Sequence, residues 1–237
     1  MSPIRSTLAA IIGGYNLVQN LVLPTSMYVP ANLVVSAGLL SLARRSGCSW
    51  DDLGLDPRQA KAGVHLGLVA SGAVVAGAAG TLSHPSLRRH LLDRRAANQE
   101  RGDVLFHTLA RFPLGTALFE EVAFRGVVEG IWRRSGATER EAALAAAALF
   151  GLWHLIPTRD AMEGSPLAET LRSETSRAGA VLAGAVATAI ASLGFSWLRK
   201  RSGSLFAPWL AHTAVSCGGY LAGVVAWRRH GDLPTTA

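Results

Sequence analysis

The stretch AGVHLGLVASGAVVAGAAGTL, Ala62 to Leu82, frames the whole chain. It holds no Asp, Glu, Lys or Arg and is built almost wholly from Gly, Ala, Val and Leu. A helix needs roughly 20 apolar residues to cross a hydrocarbon core, within a range of roughly 17 to 25. In lipid every backbone N–H and C=O must be satisfied within the segment, so such a run reads as a spanning helix. Its glycines suit close helix packing in lipid.

Similar runs recur on both sides. They lie at about Ser6 to Leu23, Met27 to Leu42, Val104 to Trp132, Glu141 to Pro157, Ala178 to Trp197 and Leu205 to Trp227. They are too long and continuous for barrel strands, which alternate over about ten residues. The expected fold class is all-α, a polytopic transmembrane helix bundle with about six to eight spans. The first run follows a single arginine, lacks a clear small-x-small cleavage site, and reads as a retained helix.

Composition agrees. Of the 237 residues 49% are hydrophobic and only 16% charged, with mean hydropathy +0.27; a soluble domain carries about 25% charged residues. The net charge of +7 sits between the apolar runs. That pattern reads as basic caps at membrane interfaces, not as a nucleic-acid surface. The expected partners are therefore membrane lipid and no nucleic acid. Arginines balance on the two sides, so orientation is not decided. Cys48 and Cys217 have no pairing or zinc spacing and read as free thiols. HPSLRRHLLDRRAANQERGD, residues 84–103, reads in part as an amphipathic surface helix. TRDAMEGSPLAETLRSETSR, residues 158–177, reads as a polar loop.

Ionisable residues inside apolar runs are costly and are functional candidates by default. Glu120, Glu121 and Arg125 lie in one run, His154 in a second and His212 in a third. Asn16, Gln19 and Asn20 form a further polar group, expected to bond between helices. Glu121 and Arg125 are spaced i,i+4 and can pair on one helix face. Glu120 is turned about 100° away in a 3.6-residue helix and needs a partner elsewhere, for which His154 and His212 are available. Glu129 reads as an interfacial pair with Arg133. His65, His84, His90, His107 and His230 lie at run edges or in loops. A lone histidine is more often a hydrogen-bonded interior residue than a ligand. Here the coincidence of three such residues in three runs favours one polar cavity. A carboxylate and two imidazoles can activate a water and stabilise an oxyanion, or can ligate zinc as a His₂Glu set. Spacing leaves both open, and no HExxH is present.

At these residues the chain resembles the CAAX-protease and bacteriocin-processing (CPBP, or Abi) family of intramembrane proteases, which includes the type II CAAX prenyl endopeptidases. EEVAFR matches its EExxxR motif through Glu120, Glu121 and Arg125. FGLWH matches FxxxH through Phe150 and His154. HTAVS matches the place of HxxxN through His212 and Ser216, with GSLFAPWLAH before it and SWDDLGLDP earlier in the chain also similar.

The resemblance implies N-terminal helices and a basic interfacial segment over residues 1–100, and a catalytic helical core over 101–230. It implies an endopeptidase of the bacterial plasma membrane acting on a peptide or membrane-protein substrate. Glu120 with His154 would activate water, and His212 with Ser216 would stabilise the oxyanion. Glu121, Arg125 and Phe150 would support the site. The cofactor would be none, or zinc on Glu120, His154 and His212. Ser216 departs from the family's Asn and offers one hydrogen-bond donor instead of two. The departure keeps a rival reading open, a non-catalytic member acting in bacteriocin immunity or as a scaffold.

Overall fold

The computed structural model describes residues 3–93, 96–165, 171 and 173–229. Arg94, Arg95, Arg172 and His230, counted above among the arginines and histidines, lie outside the described residues. Helices join through turns and loops, with no strand among the described residues, as the continuous apolar runs require. The elements are α1 (Pro3–Leu21), α2 (Tyr28–Arg45), α3 (Ala60–Ser83), α4 (residues 101–134), α5 (Glu139–Trp153), α6 (Leu155–Glu163), α7 (Glu174–Ser202) and α8 (Phe206–Arg228).

The C-terminal half of α4 is the axis of the bundle. Every residue from Phe119 to Trp132 is buried, which marks an interior helix. Around it α1, α2 and α5 contribute Leu8, Ile12, Leu39, Ala146, Phe150 and Trp153 to one core. Four segments are long and apolar enough to cross a membrane: Thr25–Arg45, Pro57–Ser83, α7 and α8. A fifth arises if α5 and α6, bent by 41°, count as one. Sequence runs suggested six to eight. The difference lies in α1, which carries Asn16, Gln19 and Asn20, and in α4, whose C-terminal half from Phe119 to Trp132 is enclosed by protein. On α3 and α7, Leu68, Val69, Val75, Leu182 and Ile190 face outward, as a lipid-facing surface requires.

Helix α3 lies parallel to α8 and packs through Gly63 and Gly67. A Cβ on Gly63 would meet Ser204 Oγ at 2.6 Å, and one on Gly67 would meet Leu210 Cδ1 at 2.9 Å. This is the small-xxx-small contact of membrane helices.

The loop between α2 and α3 is a clamp. Leu53 is fully buried against α4. Gly54, at φ 70°, accepts a 2.8 Å hydrogen bond on its carbonyl from Leu205 N. The Asp52 carbonyl accepts from Arg133 at 2.6 Å and also from Arg199. Three helices are thereby tied to one turn. Outside the membrane segments, hydrogen bonds from Arg58 hold the Asp56 carboxyl below the usual carboxylate range.

One loop expectation is corrected. Residues 158–163, expected as loop, belong to α6, supported by an Arg159–Glu163 pair at 2.9 Å one turn apart; the polar residues face outward on a helix that their spacing suits. Residues 166–170 of that segment lie outside the described residues. In the segment after α3, before α4 begins at Arg101, the described residues form a helix at Pro85–Arg88 and a short turn at Arg89–Leu91. Its Leu92 and Ala96 are buried, and Asp93 O accepts from Trp227 Nε1 at 2.6 Å. Ala96 packs against Gly223 of α8, while Leu87 on the short helix is exposed; helix is thus present in part of the segment.

Candidate active site

The site is built on an irregular helix. Over His107–Ala117 and Glu121–Val128, α4 takes the i→i+5 hydrogen-bond pattern of a π-helix. Such segments are rare and recur at functional sites. Pro113 lies within the first, and its carbonyl accepts from Trp209 Nε1 on α8 at 2.8 Å.

Arg125 is the anchor. It is fully buried and donates to Glu121 Oε1 at 3.2 Å and to Ser192 Oγ on α7 at 2.7 Å. Its guanidinium carbon lies 4.2 Å from the Phe150 ring centroid and 5.0 Å from that of Phe195. Both rings contribute cation–π attraction.

His212, on α8, joins the two glutamates. Its Nδ1 lies 2.7 Å from Glu121 Oε1, and its Nε2 faces Glu120 Oε2 at 3.6 Å. Its ring stacks on Phe195 at 4.9 Å. Glu120 is therefore not turned away from the Glu121 network, as a regular helix suggests; both carboxylates reach one cluster.

His154 is placed by a break in the α5–α6 pair. Pro157 has no N–H, so the Trp153 carbonyl one turn earlier receives no helical bond from it. Asn16 Nδ2 donates to that carbonyl at 2.9 Å, so one of the expected interhelical polar residues seals the bend. Asn20 instead bonds within its own helix, to Asn16 O at 2.9 Å. At the bend His154 Nδ1 contacts Phe150 O at 2.9 Å, and Nε2 faces Glu120 Oε2 at 3.8 Å. Trp153 Nε1 donates to the other oxygen, Glu120 Oε1, at 3.1 Å.

The hydrogen-bond logic assigns the tautomers. A carbonyl only accepts, and so does the Glu121 carboxylate, so Nδ1 of both histidines carries the proton. In the neutral imidazoles Nε2 is then a lone pair. Glu120 Oε2, buried and without a hydrogen bond among the described residues, and two Nε2 atoms converge at separations too long for direct bonds. Three acceptors around one point suit a molecule that donates, such as water.

A carboxylate with two imidazoles is chemically a zinc donor set. Among the described residues, however, no three His, Cys, Asp or Glu are arranged to hold a metal ion. No step below uses a metal.

Ser216 is placed elsewhere. It lines a cavity of about 490 Å³ with His107, Arg111 and Tyr220, a cavity that neither Glu120 nor His212 lines. One helical turn from His212 does not bring it into the cluster. Glu129 is also displaced from its expected role. It is buried beside Ser196 and Arg199 rather than at an interface, while Arg133 bonds the Asp52 carbonyl. Sequence reasoning missed Trp153, Ser192 and Phe195. Trp153 sits beside the motif histidine. Ser192 is one of three hydroxyl residues in its apolar run, a weak signal. Phe195 had none.

Residues 103–218 match the model of the family described as type II CAAX prenyl endopeptidase Rce1-like. No curated protein and no solved structure matches the chain. The match runs from the start of α4 past Ser216 on α8. The segment that carries Glu120, His154 and His212 is thus similar to the Rce1-like type II CAAX prenyl endopeptidase family.

Proposed function

We propose that the protein is an endopeptidase that hydrolyses a peptide bond at or within the membrane, using water held by Glu120, His154 and His212. The supporting observation is the convergence of Glu120 Oε2 with both Nε2 atoms. Water bound there donates one hydrogen to Glu120 and the other to His154. Glu120 takes a proton as the water oxygen attacks the peptide carbonyl. That proton passes to the leaving amine when the carbon–nitrogen bond breaks. His212 takes up a proton at Nε2 from solvent before the attack; that imidazolium then donates to the oxyanion, and Glu121 on its Nδ1 stabilises the charge. Arg125 offsets the Glu121 charge and holds the carboxylate in place. With Ser216 lining the neighbouring cavity, His212 carries the oxyanion contact in this scheme.

The test is Glu120→Gln in the purified full chain, reconstituted in vesicles with a panel of membrane-peptide substrates. The variant should fold, bind substrate and lose activity by about 10²–10⁴-fold. The rival, a non-catalytic member that works as a scaffold or in bacteriocin immunity, has one observation in its favour: Ser216 stands outside the cluster. It expects no turnover by the wild type and a Glu120→Gln variant that complements a deletion normally. Either result ends the hydrolytic reading.

A further inference from the structure

A second polar site lies where α4 and α7 end and α5 begins. Glu129, Arg133, Glu139, Arg140, Trp197 and Lys200 line a cavity of about 210 Å³ there. Its floor is complete. Ser196 donates a hydrogen bond to the buried Glu129 carboxylate, and the buried Arg199 beside it balances the charge. At the rim Lys200 pairs with Glu139 at 2.5 Å. Both carboxylates that line the cavity are thus matched, and two guanidinium groups are left over. Arg133 donates to the Asp52 carbonyl at 2.6 Å, a neutral acceptor that leaves its charge uncancelled. Arg140 is exposed and has no hydrogen bond or ion pair among the described residues. Excess positive charge in one cavity calls for an anion, and the planar fork of arginine matches phosphate oxygens. The cavity also reaches the lipid-facing surface. Leu193 and Trp197 line it from α7, 37% and 57% exposed, on a helix long and apolar enough to cross a membrane. Trp at a span end marks the headgroup level, and basic pockets between membrane helices hold anionic headgroups.

We infer that this cavity binds the phosphate of an anionic phospholipid such as phosphatidylglycerol. The phosphate meets the Arg140 guanidinium, Arg133 adds a second positive charge, and the acyl chains follow Leu193 and Trp197. A zwitterionic lipid suits the cavity less. The ammonium of phosphatidylethanolamine or phosphatidylcholine brings positive charge to a place whose carboxylates are already matched. A free phosphate would answer the guanidinium groups but leave Leu193 and Trp197 uncovered. The site is separate from the Glu–His cluster, and the inference is independent of whether that cluster hydrolyses peptides.

The experiment titrates the purified full chain in detergent with phosphatidylglycerol, phosphatidylethanolamine or phosphatidylcholine of identical acyl chains, reading bound lipid by native mass spectrometry. Wild type should retain phosphatidylglycerol about tenfold more strongly than the other two, the scale of one charged hydrogen bond. Arg140 is exposed, so Arg140→Ala should melt as wild type does while its retention of phosphatidylglycerol falls to the level of the other lipids. Arg201→Ala removes a charge from the same end of α7 but outside the cavity, and should leave the preference in place. Millimolar inorganic phosphate should not displace the bound lipid. Equal retention of all three lipids by wild type overturns the inference, as does a preference for either zwitterionic lipid or an Arg140→Ala variant that keeps the wild-type order. So does an equal loss in Arg201→Ala, which would trace the preference to general surface charge, or displacement by inorganic phosphate, which would make the ligand a soluble anion.

Discussion

At the scale of single residues, a buried charge is tolerable only with a complete set of partners. Arg125 has Glu121, Ser192 and two aromatic faces. Glu120 has only one settled oxygen, held by Trp153. Trp153→Phe keeps most of the ring packing and removes the donor. It should lower peptide hydrolysis by about tenfold while costing about 1 kcal/mol of stability, read by turnover and thermal melting of the same preparation. If turnover stays at wild type, Glu120 does not need that orientation. Arg125→Ala leaves Glu121 buried without its cation, with the His212 Nδ1 contact remaining. It should destabilise by about 3–5 kcal/mol and show as loss of folded protein in detergent rather than as a kinetic defect.

At the scale of elements, irregularity does the positioning. A straight α5–α6 helix would carry His154 along a regular face. Pro157 removes one backbone bond, Asn16 occupies the freed carbonyl, and the 41° bend follows. Pro157→Ala restores the missing donor and should straighten the junction. The expected result is a bundle at least as stable as wild type with reduced hydrolysis, since His154 Nε2 moves from Glu120. A stable variant with full activity would sink this account of the bend. The α3–α8 contact is the opposite case, where regularity matters. Gly67→Leu places a large side chain where even a Cβ meets Leu210 at 2.9 Å. It should prise the pair apart and lower the melting temperature, whereas Gly72→Leu, with nothing within 4 Å, should not.

At the scale of the whole molecule, the bundle is closed by the loop between α2 and α3. Leu53→Ala removes a fully buried side chain and should cost about 2–5 kcal/mol, measured as a drop in the denaturation midpoint. Because the same loop bonds Arg133, Arg199 and Leu205, the loss should be felt by the active-site helices, with turnover falling in the same titration. A change in midpoint without one in turnover at permissive temperature would separate the clamp from the site.

How much of this was legible in advance follows from how local each cause is. Apolar length and charge deficit are properties of the chain itself, so the helical membrane bundle could be read directly. Glu120, Glu121, Arg125, His154 and His212 could be read too, because an ionisable residue in an apolar run stands out whatever surrounds it. The tertiary structure decided the rest. Glu120 and Glu121 share one histidine because α8 sets the His212 ring between them, Nδ1 toward Glu121 and Nε2 toward Glu120, and no pattern along α4 alone contains that. Ser216 faces a different cavity from His212 because neighbouring helices divide the space around α8. Trp153, Ser192 and Phe195 join the site through contacts between helices remote in sequence. Burial of charge can be read from composition; its partners are fixed by packing, which satisfies each polar group from whichever helix lies within reach.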